Sequence, residues 1–131
     1  MSQTLVSSFI LLNLKMEIVK IDDSIAEVVA DSLVISKIDD GIDLIGNVYY
    51  QGFDNVILHE KNITPDFFDL STKMAGEILQ KFSNYKMRLA IVGDFANHQS
   101  KSFKDFVFES NKLGRINFVT SKPEAIKALS K

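Results

Sequence analysis

The sequence predicts an α/β protein, a single domain with a mixed, mostly parallel sheet and helices packed on it. Three observations lead there. Short apolar runs alternate along the chain with segments of helical periodicity, an order that calls for parallel crossovers, which are right-handed in nearly all proteins. Two strand-like runs come first, Met16 to Ile21 and Ile25 to Ala30, joined by the turn residues Asp22-Asp23-Ser24, so the sheet opens with an antiparallel hairpin. The chain is 131 residues long, 46% hydrophobic and 24% charged, with 10 Phe and no Cys, which is the size and composition of one packed domain.

The elements follow in order. Ser36 is placed to cap a first helix, with Asp39 three residues later, and Ile38, Ile42, Ile45 and Tyr49 recur at helical spacing as its core stripe. Gln51-Gly52 fits a helix stop, and Asn55 to His59 is a short apolar run suited to a strand buried on both faces. Thr64 before Pro65 reads as the next helix entry, with Asp66 near the positive end of the dipole and a second cap at Asp69 or Ser71. Phe67, Phe68, Met74, Ala75, Ile78, Leu79 and Phe82 make that helix's apolar face, opposite Glu77, Gln80, Lys81 and Asn84. Leu89 to Val92 is the next strand, ending at Gly93-Asp94-Phe95, and a polar loop from Ala96 to Gln99 leads to Ser100 as a cap. The third helix runs to about Lys112 with Phe103, Phe106, Val107 and Ser110 as its buried stripe, and Gly114 stops it. Ile116 to Thr120 is the last strand, and Ser121, Pro123 and Glu124 open a short closing helix. The order is ββαβαβαβα.

Residues 1–15 stand apart as an N-terminal extension to a domain spanning residues 16–131. Their apolar run, Leu5 to Leu14, is broken by Ser7, Ser8 and Asn13, too short for a membrane span and without the flanks of a signal peptide. The expectation is a disordered or loosely docked extension; an extra strand, or a hydrophobic arm that docks on another subunit, is the alternative. A net charge of -2 and a pI near 5.6 give no general attraction for phosphate backbones or anionic lipid, so neither nucleic acid nor a membrane is the expected partner. Without cysteine there is no disulfide, thiolate zinc site or cysteine nucleophile, which suits a cytoplasmic protein.

Open parallel sheets hold ligands at the carboxyl ends of their strands, which selects Asn62 and Thr64 after the third strand, Asp94 to Ser100 after the fourth, and Thr120-Ser121 after the fifth. There His98 would serve as a proton shuttle oriented by Asp94, with Asp66 as a further carboxylate; a solvated loop histidine is the simpler reading. His59, inside an apolar run, reads as a structurally held imidazole. Asp66, Asp69 and Asp94 would bind magnesium only by converging, and helix capping accounts for the first two. Two histidines without a metal-binding spacing give no transition-metal site, and no cofactor is expected. Ser100-Lys101-Ser102 at a helix start would suit a phosphate or carboxylate, although Ser100 is explained as a cap. Dinucleotide, triphosphatase and hydrolase motifs are absent, and Met74, Met87 and the phenylalanines read as core.

The runs Ile63–Thr72 (ITPDFFDLST), Ala75–Tyr85 (AGEILQKFSNY) and Leu89–Phe95 (LAIVGDF), with Ser100–Lys112 (SKSFKDFVFESNK), resemble the bacterial domain-of-unknown-function family 4180 from about Met16 to Ser130. A weaker likeness is to STAS domains, the sulfate-transporter and anti-sigma-factor-antagonist modules, which share this element order. In those, a strand leads into a Phe-x-Asp-Ser-Ser-Gly helix entry whose serine or threonine is phosphorylated to switch a partner. Phe67-Phe68-Asp69-Leu70-Ser71-Thr72 falls at the similar place; Asp69 and Ser71 match, while Leu70 replaces a serine and Thr72 the glycine. The resemblance implies a non-enzymatic STAS-like module, with Ser71 as the phosphorylation candidate. It would bind a regulatory protein partner or small ligand through Thr64, Asp66, Asp69, Ser71, Asp94, Asn97, His98, Ser100 and Lys101. The alternatives are a small enzyme using Asp94, His98 and Asp66, and a homodimer joined through the arm or an exposed helix face.

Overall fold

A computed structural model of the chain describes residues 16–98 and 100–131. The expectations for residues 1–15, and for Gln99 in the polar loop, lie outside the described residues. Strands β1 (Met16–Lys20), β2 (Ile25–Ala30), β3 (Asn55–His59), β4 (Arg88–Val92) and β5 (Ile116–Val119) form one sheet in sequence order. β1 and β2 are antiparallel and the remaining pairings are parallel. The helices are α1 (Ile38–Tyr50), α2 (Met74–Asn84), α3 (Lys101–Leu113) and α4 (Lys122–Leu129), so the predicted element order and mixed sheet are both present. No helix among the described residues is long and apolar enough to cross a membrane.

Strand side chains alternate between faces, and the alternation sorts the core. Met16, Ile18, Ala26, Val28, Val56, Leu58, Leu89, Ile91 and Phe118 point to the face covered by α1, α2 and α3. Ile25, Ile57 and Ala90 point the other way, where Ala125 and Leu129 of α4 meet them. Both faces of the central strands are therefore buried, which is why Val56, Ile57 and Leu58 are apolar without alternation.

Local chemistry fixes the turns. Asp22 Oδ1 accepts from the N–H groups of Ser24 (2.8 Å) and Ile25 (2.9 Å), closing the β1–β2 hairpin. Gly114 ends α3 in the left-handed conformation (φ 81°), and Ser100 and Ser121 cap α3 and α4 through hydroxyls that accept from Phe103 and Glu124 N–H.

Three expectations are corrected. The α1 stripe is rotated: Gly41, Leu44, Ile45 and Val48 are buried while Tyr49 is exposed, because Gly41 lets Ile78 of α2 approach so closely that an added Cβ would lie 3.0 Å from it. The cap of α1 falls at Lys37 rather than Ser36, since it is Asp40 that accepts from both backbone N–H groups, at 2.9 and 3.2 Å. Thr64-Pro65 opens a 3₁₀ turn, Pro65–Phe68, rather than α2 itself. A second 3₁₀ turn, Leu70–Thr72, follows, and α2 begins only after Lys73 takes a left-handed conformation (φ 65°) that breaks the helical path.

Candidate functional site

The carboxyl edge is where the chain departs most from regular structure. After β3 a 3₁₀ turn, Glu60–Asn62, redirects the backbone, and Asn62, buried there, donates from Nδ2 to the carbonyls of Ala30 (3.0 Å) and Ser32 (2.9 Å). The Asn62 carbonyl in turn accepts from the N–H groups of Val34 and Ile35, and Ile35 pairs with Ile63 as an isolated parallel bridge. Asn62 thus pins the β2–α1 loop against the β3 exit and sets Leu33, Ile63 and Pro65 around one hollow.

That hollow is a cleft of about 300 Å³ lined by Leu33, Glu60, Lys61, Ile63, Pro65, Phe68 and His98. Its polar part is built on Glu60. One carboxylate oxygen accepts from the Asp94 N–H at 2.9 Å, and the other lies 2.6 Å from His98 Nε2. Residue 93 has to be glycine for this: a Cβ there would fall 2.5 Å from Glu60 Cβ and Oε1. The His98 ring stacks on Phe68 (centroids 4.7 Å, planes 22° apart) and lies 5.3 Å from the Phe103 ring. Imidazole and carboxylate are both mostly buried and held from several sides.

A second imidazole–carboxylate pair occupies the opposite face of the sheet. His59 Nε2 is 2.7 Å from Glu27 Oε2, and Lys122 Nζ at the start of α4 is 2.8 Å from Glu27 Oε1. Burial pushes the Glu27 carboxyl up, but the hydrogen bonds and charges of Lys122 and His59 outweigh it and hold it below the ordinary value of 4.5. The expectation that His59 is structurally held agrees with this arrangement.

The residues singled out in the sequence divide. His98 lines the cleft; its carboxylate partner is Glu60, whereas Asp94 uses its carboxylate to accept from Ala96 N–H (3.1 Å). Asp66 is exposed and its carbonyl accepts from Thr72 Oγ1 at 2.8 Å; no hydrogen bond joins its carboxylate to Asp94 or His98 among the described residues. Asp69 Oδ1 accepts from Ser71 Oγ (2.7 Å) and N–H (3.0 Å), which lowers its pKa, the hydroxyl contributing most. Thr64 precedes the 3₁₀ turn Pro65–Phe68 without a side-chain cap bond, and Asn97 is exposed at the end of the turn Phe95–Asn97. Ser100 is a cap, and Lys101 is paired with Asp105 on its own helix at 2.7 Å, which raises its pKa. No group of three or more His, Asp or Glu suited to a metal ion occurs among the described residues. Sequence reasoning missed Glu60, Lys61, Leu33 and the Glu27–Lys122 pair. Glu60 was within reach of the carboxyl-edge rule, since it directly follows the last residue of β3.

Two larger hollows lie at the amino edge, about 520 and 440 Å³, and share Arg88 and Lys131. Arg88 is consumed there: its guanidinium donates to the carbonyls of Gly114, Ala128, Leu129 and Lys131, closing the end of α4 against β4. Its donors are committed to the fold and not to a ligand.

The family described as "Domain of unknown function (DUF4180)" matches residues 20–129, and the chain belongs to it. Comparisons with curated proteins and with solved structures gave no match.

Proposed function

We propose that this member of the family is a non-enzymatic, cytoplasmic module of STAS-like organisation that binds a small ligand in the carboxyl-edge cleft and presents the result to a regulatory partner. The observation that carries the reading is the cleft itself, in which apolar walls from Leu33, Ile63, Pro65 and Phe68 surround the fixed Glu60–His98 pair. Ligand sites combine apolar walls with a few fixed polar groups in this way, and about 300 Å³ is the small end of their range. Ser71 remains the modification candidate of the reading: its exposed hydroxyl donates to Asp69, and a phosphate there would set roughly two negative charges against that carboxylate and open the turn.

The test is a titration of the isotope-labelled full chain with small aromatic probes, read by amide chemical shifts. Shifts confined to Leu33, Glu60–Phe68 and Phe95–His98, and lost in Leu33→Trp, are expected. Leu33 is 45% exposed, so the tryptophan fills the cleft mouth without entering the core. Probes that shift other regions, or that bind the tryptophan variant equally, would remove the reading.

A further inference from the structure

We infer that the cleft takes an uncharged molecule with a small apolar body and one O–H or N–H donor, which His98 Nδ1 reads by accepting its hydrogen bond. The inference rests on the cleft-binding reading and adds the class of ligand. Its starting point is the commitment of Glu60. Both carboxylate oxygens are occupied, one by the Asp94 N–H and the other by His98 Nε2, and an ionised carboxylate only accepts. With Glu60 ionised the proton of this bond sits on Nε2, which leaves Nδ1 as the acceptor whenever the ring is neutral. Nδ1 has no hydrogen-bond partner among the described residues, while the ring it belongs to lines the cleft.

The ring cannot readily turn to exchange its nitrogens. Phe68 stacks on it at 4.7 Å, Phe103 lies at 5.3 Å and Phe95 at 6.2 Å, and rotation would break the bond to Glu60. Glu60 is itself immobilised by its fit over Gly93. The cleft thus holds the His98 ring in one orientation among apolar walls, beside a Glu60 carboxylate already engaged on both oxygens. Charge points the same way: the Glu60 carboxylate lies in the lining and repels an anion, with only the exposed ammonium of Lys61 to offset it. A hydroxyl or amide N–H satisfies Nδ1 without bringing a charge into the cleft, and an apolar group of the same size leaves Nδ1 desolvated and unpaired.

The full-length protein would be titrated with benzyl alcohol, its methyl ether and benzoate, following the amides of Glu60–Phe68 and Phe95–His98. The alcohol is expected to bind about tenfold more tightly than the ether, the worth of one hydrogen bond, and benzoate more weakly than the alcohol. In His98→Phe, which keeps an aromatic ring against Phe68 and removes Nδ1, the alcohol should fall to the level of the ether while the ether is unchanged; amide dispersion reports whether that variant folds, and if it does not, the wild-type alcohol-to-ether ratio decides. Equal affinity for alcohol and ether would overturn the donor inference and leave the cleft reading intact. Tighter binding of benzoate would overturn it in favour of an acid held by Lys61. If none of the probes shifts the cleft amides, the cleft reading falls and this inference with it.

Discussion

Glu27–His59 and Glu60–His98 are the same chemical pair at the same edge of one sheet, with imidazoles of similar exposure, 24% and 21%. Their surroundings differ. Glu27 points to the face covered by α4, and Lys122 from that helix takes its remaining oxygen, so the cluster is closed by an ammonium group. Glu60 points toward the three-helix face, where its remaining oxygen takes a backbone N–H and its imidazole borders an open cleft. The first arrangement ties β2, β3 and α4 together. In both pairs the imidazole Nδ1 has no partner among the described residues, but it is the His98 ring that lines the cleft. A histidine–carboxylate pair alone therefore says little about function; what it adjoins assigns it, a helix in one case and a cavity in the other.

The comparison breaks first at Glu27. Removing it strands His59 and Lys122 without their carboxylate, which costs 3–5 kcal/mol in fully buried pairs; the partial exposure of both partners reduces this to about 2 kcal/mol for Glu27→Ala. Urea denaturation at neutral pH would measure it, and an effect no larger than that of a surface substitution would show that the closed cluster does not hold α4. The cluster also sets a pH dependence. Because the folded carboxyl lies below 4.5, its contribution is complete above that value and is lost as the pH falls through the folded pKa. Glu27→Gln should be less stable than wild type at neutral pH, and the gap should narrow on acidification from about pH 5 downward.

The next effect belongs to the open pair. In Gly93→Ala the new methyl must displace Glu60, an overpacking cost of about 1.5 kcal/mol. Displacing Glu60 also releases His98, so probe binding in the cleft should weaken along with stability. In Glu27→Ala, by contrast, cleft binding at temperatures well below unfolding should match wild type. Loss of binding in both variants would mean that the two pairs are coupled through β3, which carries His59 and leads into Glu60.

Much of this frame was legible in the chain. Alternating periodicity fixed the element order, and the limits of β3 were read as Asn55 to His59, because a doubly buried strand bounded by polar residues has few alternatives. The helix entry after Thr64 was not, since Pro65 starts a 3₁₀ turn as well as an α-helix and only the left-handed Lys73 decides between them. Edge geometry selected His98, which borders the cleft, with Asp94 as its expected partner, but the carboxylate beside it is that of Glu60. Asp94 is nearer in sequence, whereas Glu60 arrives through the parallel register His59↔Val92, a contact between distant residues that no local pattern reveals. Leu33 joins the cleft only because Asn62 captures the β2–α1 loop, so it too depends on tertiary structure.

The smallest effects are expected where the sequence drew most attention. Asp69 and Ser71 are exposed and bond chiefly to each other, closing one 3₁₀ turn, and neither belongs to the cleft lining. Ser71→Ala removes one bond to the Asp69 carboxylate but leaves the backbone N–H of residue 71 in place, so its unfolding midpoint should shift less than that of Gly93→Ala and its probe affinity should equal wild type. Asp69→Ala should shift the midpoint further than Ser71→Ala, since it frees both donors, again without touching the cleft. If either variant weakens the probe as much as Gly93→Ala does, the turn Leu70–Thr72 is part of the binding site, and the separation between a capping segment and a ligand cleft fails at the residues the STAS likeness selects.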